Sequence, residues 1–247
     1  MNISLRFRLN QDTLPPAHEQ LTDMWKVACL LEPLGFPIDQ WFPPADTPEN
    51  SKRNPAFDAN GPTPAAVAVF GTENVEEEHP GLSMFAVWNG KEGPGGASFD
   101  LKLSVLAGNP VCNFSLIEKK NPGFDSYALV RDLVVGLLDI WPAASIEVGP
   151  NKYFMTQQVF PKKPGAGWML YLPLEITKTK LPEAAELVPV MRGRKRRGTI
   201  IVSVASEVFS SENRDHVETA NAIEIRLSDQ GLLPLFKDTQ LLTQPEL

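Results

Sequence analysis

Lys91 stands in VWNGKEGPGGAS, residues 87 to 98, where Gly90, Gly93, Gly95 and Gly96 crowd eight positions. A phosphate cradle is built from such residues, but it needs G-x-x-x-x-G-K-[ST] opening a helix whose free N–H groups face the anion. Here Glu92 follows Lys91 and opposes a phosphate, and the next segment, ASFDLKLSVL, alternates as a strand does. The dinucleotide fingerprint fails for want of the same helix. Asn89-Gly90 and Pro94-Gly95-Gly96 are turn chemistry, so the stretch is expected to be a hairpin loop.

Other candidates are equally sparse. His216 sits beside Asp215, with Ser210 and Ser211 upstream, yet no serine lies in a G-x-S-x-G elbow. A helix N-terminus capped by Ser211 or Asn213 accounts for SSENRDH. His18, His79 and His216 lie in separate segments without the close ligand pairs of a metal site. Cys29 and Cys112 read as buried free thiols. No metal and no cofactor are therefore expected.

Glu73, Glu76, Glu77 and Glu78 fall in TENVEEEHP, a polar loop whose functional use is electrostatic contact with a basic partner. Asp100 and Glu175 are the carboxylates on which a hydrolase reading depends. The run Arg192 to Arg197 is a candidate nucleic-acid patch, but it lacks interleaved aromatics and reads as a solvated loop before a strand. Trp41-Phe42, framed by Pro37, Pro43 and Pro44, is either a plug in the core or an exposed anchor for binding.

The elements that carry these residues follow from periodicity. ISLRFRL alternates as a half-buried strand. After Pro15-Pro16, residues Leu21, Met24, Trp25, Ala28 and Leu31 recur at helical spacing up to Gly35. Residues 37 to 64 are too rich in proline for regular structure, although their aromatics can pin them to the core. PAAVAVFG is a short helix or strand. LSMFAVWN, ASFDLKLSVL and VCNFSLIE are strands, with a turn at Gly108-Asn109-Pro110 between the last two. SYALVRDLVVGLLDIW puts Leu129, Leu133, Leu137 and Ile140 on one helical face, stopped by Pro142. ASIEVG, YFMTQQVF, GWMLYLPL and GTIIVSVA read as strands, PEAAELV as a helix, and residues 215 to 225 as the last helix. Trp25, Trp88, Trp141 and Trp168, at element ends, are expected in the core. Runs of strands punctuated by a few helices argue for an α+β fold with antiparallel or mixed sheets. The order of elements suggests one domain of two similar strand-helix-strand-strand lobes, about 1 to 108 and 109 to 247.

With 247 residues the chain can bury a core without a metal or disulfide staple. No apolar run approaches the roughly 18 residues of a membrane span, and MNISLRFRLN lacks the apolar centre of a secretory signal. A cytoplasmic location is the expectation. The net charge of −7 conceals an asymmetry: without the five charges of the basic run, 18 basic residues face 30 acidic ones. Such a surface repels nucleic acid and suits a basic protein partner.

Several stretches, in this order and spacing from about Ile3 to Leu235, resemble the immunity protein 52 family, found beside polymorphic toxins and type VI secretion effectors. They include LTDMWKVACLLEPLGFPIDQWF, FDANGPTPAAVAVF, VWNGKEGPGGASFDLKLS, DIWPAASIEVGPNKYF, VFPKKPGAGWMLYLP, RGTIIVSVA and HVETANAIEIRLSDQGLLP. The resemblance implies a non-catalytic cytoplasmic protein that binds and neutralises a cognate effector toxin, a restriction-endonuclease-like nuclease, and that engages neither nucleic acid nor membrane. It brings no active residues to transfer. The partner-binding candidates are Glu73, Glu76, Glu77, Glu78, Lys91, Glu92, Trp41 and Phe42.

Overall fold

The computed structural model describes residues 1–73, 81–106 and 111–241, so Glu76, Glu77, Glu78, His79 and the expected turn at Gly108-Asn109-Pro110 lie outside the described residues. The fold is α+β with antiparallel strand pairing, in two compact units: Leu9–Ile140, and Met1–Arg8 together with Trp141–Leu247. The first strand, β1 (Asn2–Phe7), alternates half-buried Asn2, Ser4 and Arg6 with buried Ile3, Leu5 and Phe7, the period-2 pattern of a strand with one covered face.

In the Leu9–Ile140 unit, α1 (Ala17–Leu31) starts after Pro16, which has no N–H to leave unpaired, and buries Leu21, Met24, Val27, Ala28 and Leu31. Gly35, at φ 93°, closes the turn that follows. The proline-rich segment is more regular than its composition suggests. Thr47 caps the single turn α2 (Pro48–Ser51) by accepting from the Asn50 N–H. The two-residue strands β2 (Phe57–Asp58) and β3 (Gly61–Pro62) pair across a turn in which Asp58 accepts from the Asn60 N–H. Thr63 then caps α3 (Pro64–Glu73) through the Ala66 N–H. These short polar caps act through single hydrogen bonds, which periodicity does not register.

Three strands follow in a regular antiparallel ladder: β4 (Leu82–Trp88), β5 (Ala97–Ser104) and β6 (Cys112–Glu118). One face presents Phe85, Val87, Phe99, Leu101, Phe114 and Leu116, all buried. Each contributes about 1.5–3 kcal/mol by leaving water. Phe70 of α3 meets Phe85 with centroids 4.8 Å apart, and Gln20 of α1 accepts from the Ser83 hydroxyl at 2.6 Å. The helices therefore cover this face. The last helix of the unit, α4 (Tyr127–Ile140), buries Val130, Leu133, Val134, Leu137 and Leu138, while Leu129 and Ile140 are only half-buried.

In the other unit β1 pairs with β7 (Ala143–Gly149), which continues through β8 (Met169–Leu172) and β10 (Lys195–Val202) to the edge strand β9 (Glu186–Arg192). Two sequence expectations fail here. YFMTQQVF contains the end of the helix α5 (Asn151–Thr156), which buries Tyr153 and is too short to show a period. PEAAELV leads into β9, whose Val188 and Val190 alternate with Pro189 rather than lining a helix face. The final helix, α6 (Arg214–Asp229), is capped by Asn213 through the Asp215 N–H.

Candidate functional site

Trp41 and Phe42 part company. Trp41 is fully buried, 4.7 Å from Phe99 and 5.7 Å from Phe36 between ring centroids. It is the core plug, and it leaves no surface for a partner, which removes it as an exposed anchor. Phe42 is half-buried, and its backbone forms a two-bond bridge with Trp88: the Phe42 N–H donates at 2.8 Å and the Trp88 N–H at 3.0 Å. Trp88 and Trp25 are half-buried and not core residues, unlike Trp141 and Trp168. The Trp88 indole N–H donates to Ser51, whose hydroxyl donates to the Pro43 carbonyl, so α2 fixes the ring.

The ring stands on the face of β4, β5 and β6 opposite α1 and α3, with α2 beside it. Along one register row lie Trp88, Ser98 and Ile117; along the next, Ala86, Asp100 and Ser115; along a third, Met84, Lys102 and Asn113. Met84 is 62% and Ile117 48% exposed, large apolar side chains in water on a sheet face. Burial raises the Asp100 carboxyl above its ordinary range. Two concavities meet at Trp88. One, of about 310 Å³, is lined mainly by apolar groups, among them Pro44, Ala45, Pro48 and Ala86. The other, of about 580 Å³, is more polar and is bordered by Lys91, Glu92, Ile117 and Lys119.

The glycine-rich loop forms the wall of the second concavity, and it is the expected hairpin turn. Asn89 organises it: its amide donates to the Gly95 carbonyl at 2.8 Å and its side-chain oxygen accepts from the Ala97 N–H at 2.8 Å. Gly90 and Gly95 take positive φ, and a Cβ on Gly96 falls 2.4 Å from the Lys91 carbonyl oxygen. The Lys119 ammonium donates to the Glu92 carbonyl. The loop is thus held to the end of β6, with exposed Lys91 and Glu92 on its outer side. Lys91, Glu92 and Phe42 are brought together around Trp88, a residue whose place at the end of a strand reads in sequence as core.

The remaining candidates are placed elsewhere. Glu73 ends α3, and its side chain lies outside the described residues. His18 is exposed at the start of α1, whereas His216 is buried: its Nδ1 accepts from the Ser210 N–H and its Nε2 lies 3.3 Å from Glu207. Those contacts occupy both ring nitrogens in holding a turn. Among the described residues, no three His, Cys, Asp or Glu cluster as a metal site requires. Cys112 is buried, whereas Cys29 is only partly so; both are free thiols. The basic run straddles the tip of the β9–β10 hairpin and is not a loop ahead of a strand. There Arg196 pairs with Glu175 at 3.2 Å and donates to the Ile176 carbonyl. The most enclosed carboxylates are ones that sequence reading passed over. Glu224, fully buried, accepts from the Tyr153 hydroxyl at 2.5 Å and from the N–H groups of Val159 and Ala166. Glu147 accepts from Arg6 and from the Gly165 N–H. Both bind residues 159 to 166 to the core, and burial holds both carboxyls above their ordinary range.

The chain is similar to solved structures, among them one of a secretion-system protein. It is the Pseudomonas aeruginosa T6SS (type VI secretion system) protein PA0821, similar at a TM-score of 0.52 and 13% identity over 90% of this chain and 75% of that one. No family model and no curated protein matches the chain. At that identity the likeness to the T6SS protein extends to the fold and assigns no residue a role.

Proposed function

We propose that this chain is an immunity protein, which binds a cognate nuclease toxin of a type VI or related secretion system and neutralises it without catalysis. The observation that carries the reading is the fold shared with a T6SS protein across nine-tenths of the chain, in the same direction as the resemblance to the immunity protein 52 family. Charge supports it. A nuclease presents a basic groove to the phosphates of its substrate, and a chain with 30 acidic against 23 basic residues is drawn to such a groove. Glu73, Glu76, Glu77 and Glu78 form the densest acidic stretch and are the steering element of this account. The Lys91, Glu92 and Phe42 neighbourhood of Trp88 provides an amphipathic surface next to the strand that this stretch leads into.

The experiment is co-expression of the toxin encoded by the neighbouring open reading frame, with and without this chain. Survival only when the chain is present is the expected result, and killing in its presence overturns the reading.

A further inference from the structure

An edge strand exposes a row of unpaired N–H and C=O groups, and proteins ordinarily blunt it with proline, charge or a bulge. The edge strand β9 is protected in this way: it carries Pro189 in the middle, Glu186 and Arg192 at its ends, and a register shift opposite Arg196 and Gly198. The edge strand β4 has none of these. LSMFAVW contains no proline and no charge, and its register with β5 is unbroken from Leu82 to Trp88.

The direction of its free groups can be read off the ladder. Asn89 donates to Ala97 and Val105 to Gly81, so the odd-numbered residues between them face β5. The even-numbered residues face outward. Trp88 confirms this by pairing outward with Phe42. Next in line are Ala86 and Met84, and among the described residues nothing meets their outward N–H and C=O groups. Their side chains point to the uncovered sheet face, where Met84 is largely exposed. The bridge residue Phe42 marks where an added strand ends, and the apolar concavity at Pro44, Pro48 and Trp88 lies beside that end.

Charge selects the occupant. Lys52 lies 5.4 Å from the Trp88 ring centroid, Lys102 stands opposite Met84 in the ladder, and Lys91 borders the wider concavity. None of the three is in an ion pair among the described residues, and against them stand two carboxylates, the half-buried Asp100 on the same sheet face and Glu92 beside Lys91, so the surroundings of this edge keep an excess of positive charge.

We propose that the free edge of β4 between Leu82 and Ala86 receives an extended acidic and apolar segment of the toxin as an added antiparallel or parallel strand, with an apolar side chain of that segment seated against Trp88. This deepens the immunity reading and rests on it. Main-chain hydrogen bonds supply affinity, and the Trp88 concavity and the three lysines supply selectivity. An acidic segment is not the phosphate-binding groove of a nuclease, so this edge is a contact separate from the acidic loop.

Ala86→Pro tests it, because the Ala86 N–H takes no part in the β5 ladder and proline is tolerated at such an edge position. The probe is the purified toxin encoded by the neighbouring reading frame, used catalytically inactive. Expected are a Kd at least about tenfold weaker for Ala86→Pro, a weaker Kd for the Lys52→Glu, Lys102→Glu double variant, and unchanged far-ultraviolet circular dichroism. In the wild-type chain the amide protons of Met84 and Ala86 exchange fast when free and slow on binding. That exchange measurement decides the matter if Ala86→Pro fails to fold. Wild-type binding with unchanged exchange at both amides overturns the edge and leaves the immunity reading standing. Slow exchange in a free chain that light scattering finds dimeric assigns the edge to a second copy and overturns it also. Failure of the wild-type chain to bind the toxin overturns the immunity reading itself.

Discussion

Trp41 and Phe42 are adjacent, equally framed by prolines, and opposite in fate. The Phe42–Trp88 bridge gives the pair a strand's alternation, which turns Trp41 towards Phe36 and Phe99 and leaves Phe42 half-exposed. Trp41→Ala is accordingly expected to cost about 3–5 kcal/mol in urea unfolding, and a loss under about 1 kcal/mol contradicts the placement. Glu224 carries a second prediction. Burial raises its carboxyl above the usual range although the Tyr153 hydroxyl and three backbone N–H groups oppose the shift. A carboxyl raised in the folded chain contributes stability that is complete below its unfolded value and is lost as pH rises through the folded one. Wild type should therefore gain stability relative to Glu224→Gln as pH falls from neutral towards the ordinary carboxylate range, with the opposite slope contradicting the account. In sequence the Trp41-Phe42 pair reads as a core plug or an exposed anchor without telling which ring points in, and the burial of Glu224 is not legible at all. A loop has no period to say which aromatic points in, and a glutamate in a helix of mean polar character reads as solvated until the chain around residues 159 to 166 is seen to close over it.

Elements were legible in proportion to length and regularity. The apolar positions of α1 and α4 recur over four turns each, and β4 and β5 alternate cleanly around a turn whose glycines announce it. By contrast α5 has six residues, and β9 shows an exposed pattern interrupted by Pro189, so their types are set by what they pack against. The turn between β4 and β5 illustrates how little of the candidate surface could be foreseen. Lys91 and Glu92 were visible in sequence, but their neighbourhood with Phe42 and Trp88 exists only because Asn89 and Lys119 hold the loop in place. Gly96→Ala puts a methyl 2.4 Å from one backbone carbonyl oxygen and 2.8 Å from another. Its expected outcome is a Tm several degrees lower, whereas Gly93→Ala, which meets nothing within 4 Å, should leave Tm nearly unchanged.

For the whole molecule the decisive quantity is charge distribution. Charge reversal of Glu73, Glu76, Glu77 and Glu78 to lysine should slow association with the toxin about tenfold or more at low salt, the difference narrowing as ionic strength rises. An unchanged on-rate contradicts the role of that stretch in steering. The α+β class was legible from the spacing of strands, which left antiparallel and mixed sheets both open, whereas the open edge of β4 was not, because no local pattern tells which strand ends a sheet. The central claim, neutralisation by stoichiometric binding, is tested most directly with purified components: nuclease activity of the neighbouring toxin, titrated with this chain. The account predicts activity falling to zero near one chain per toxin, and full activity at a large molar excess contradicts it.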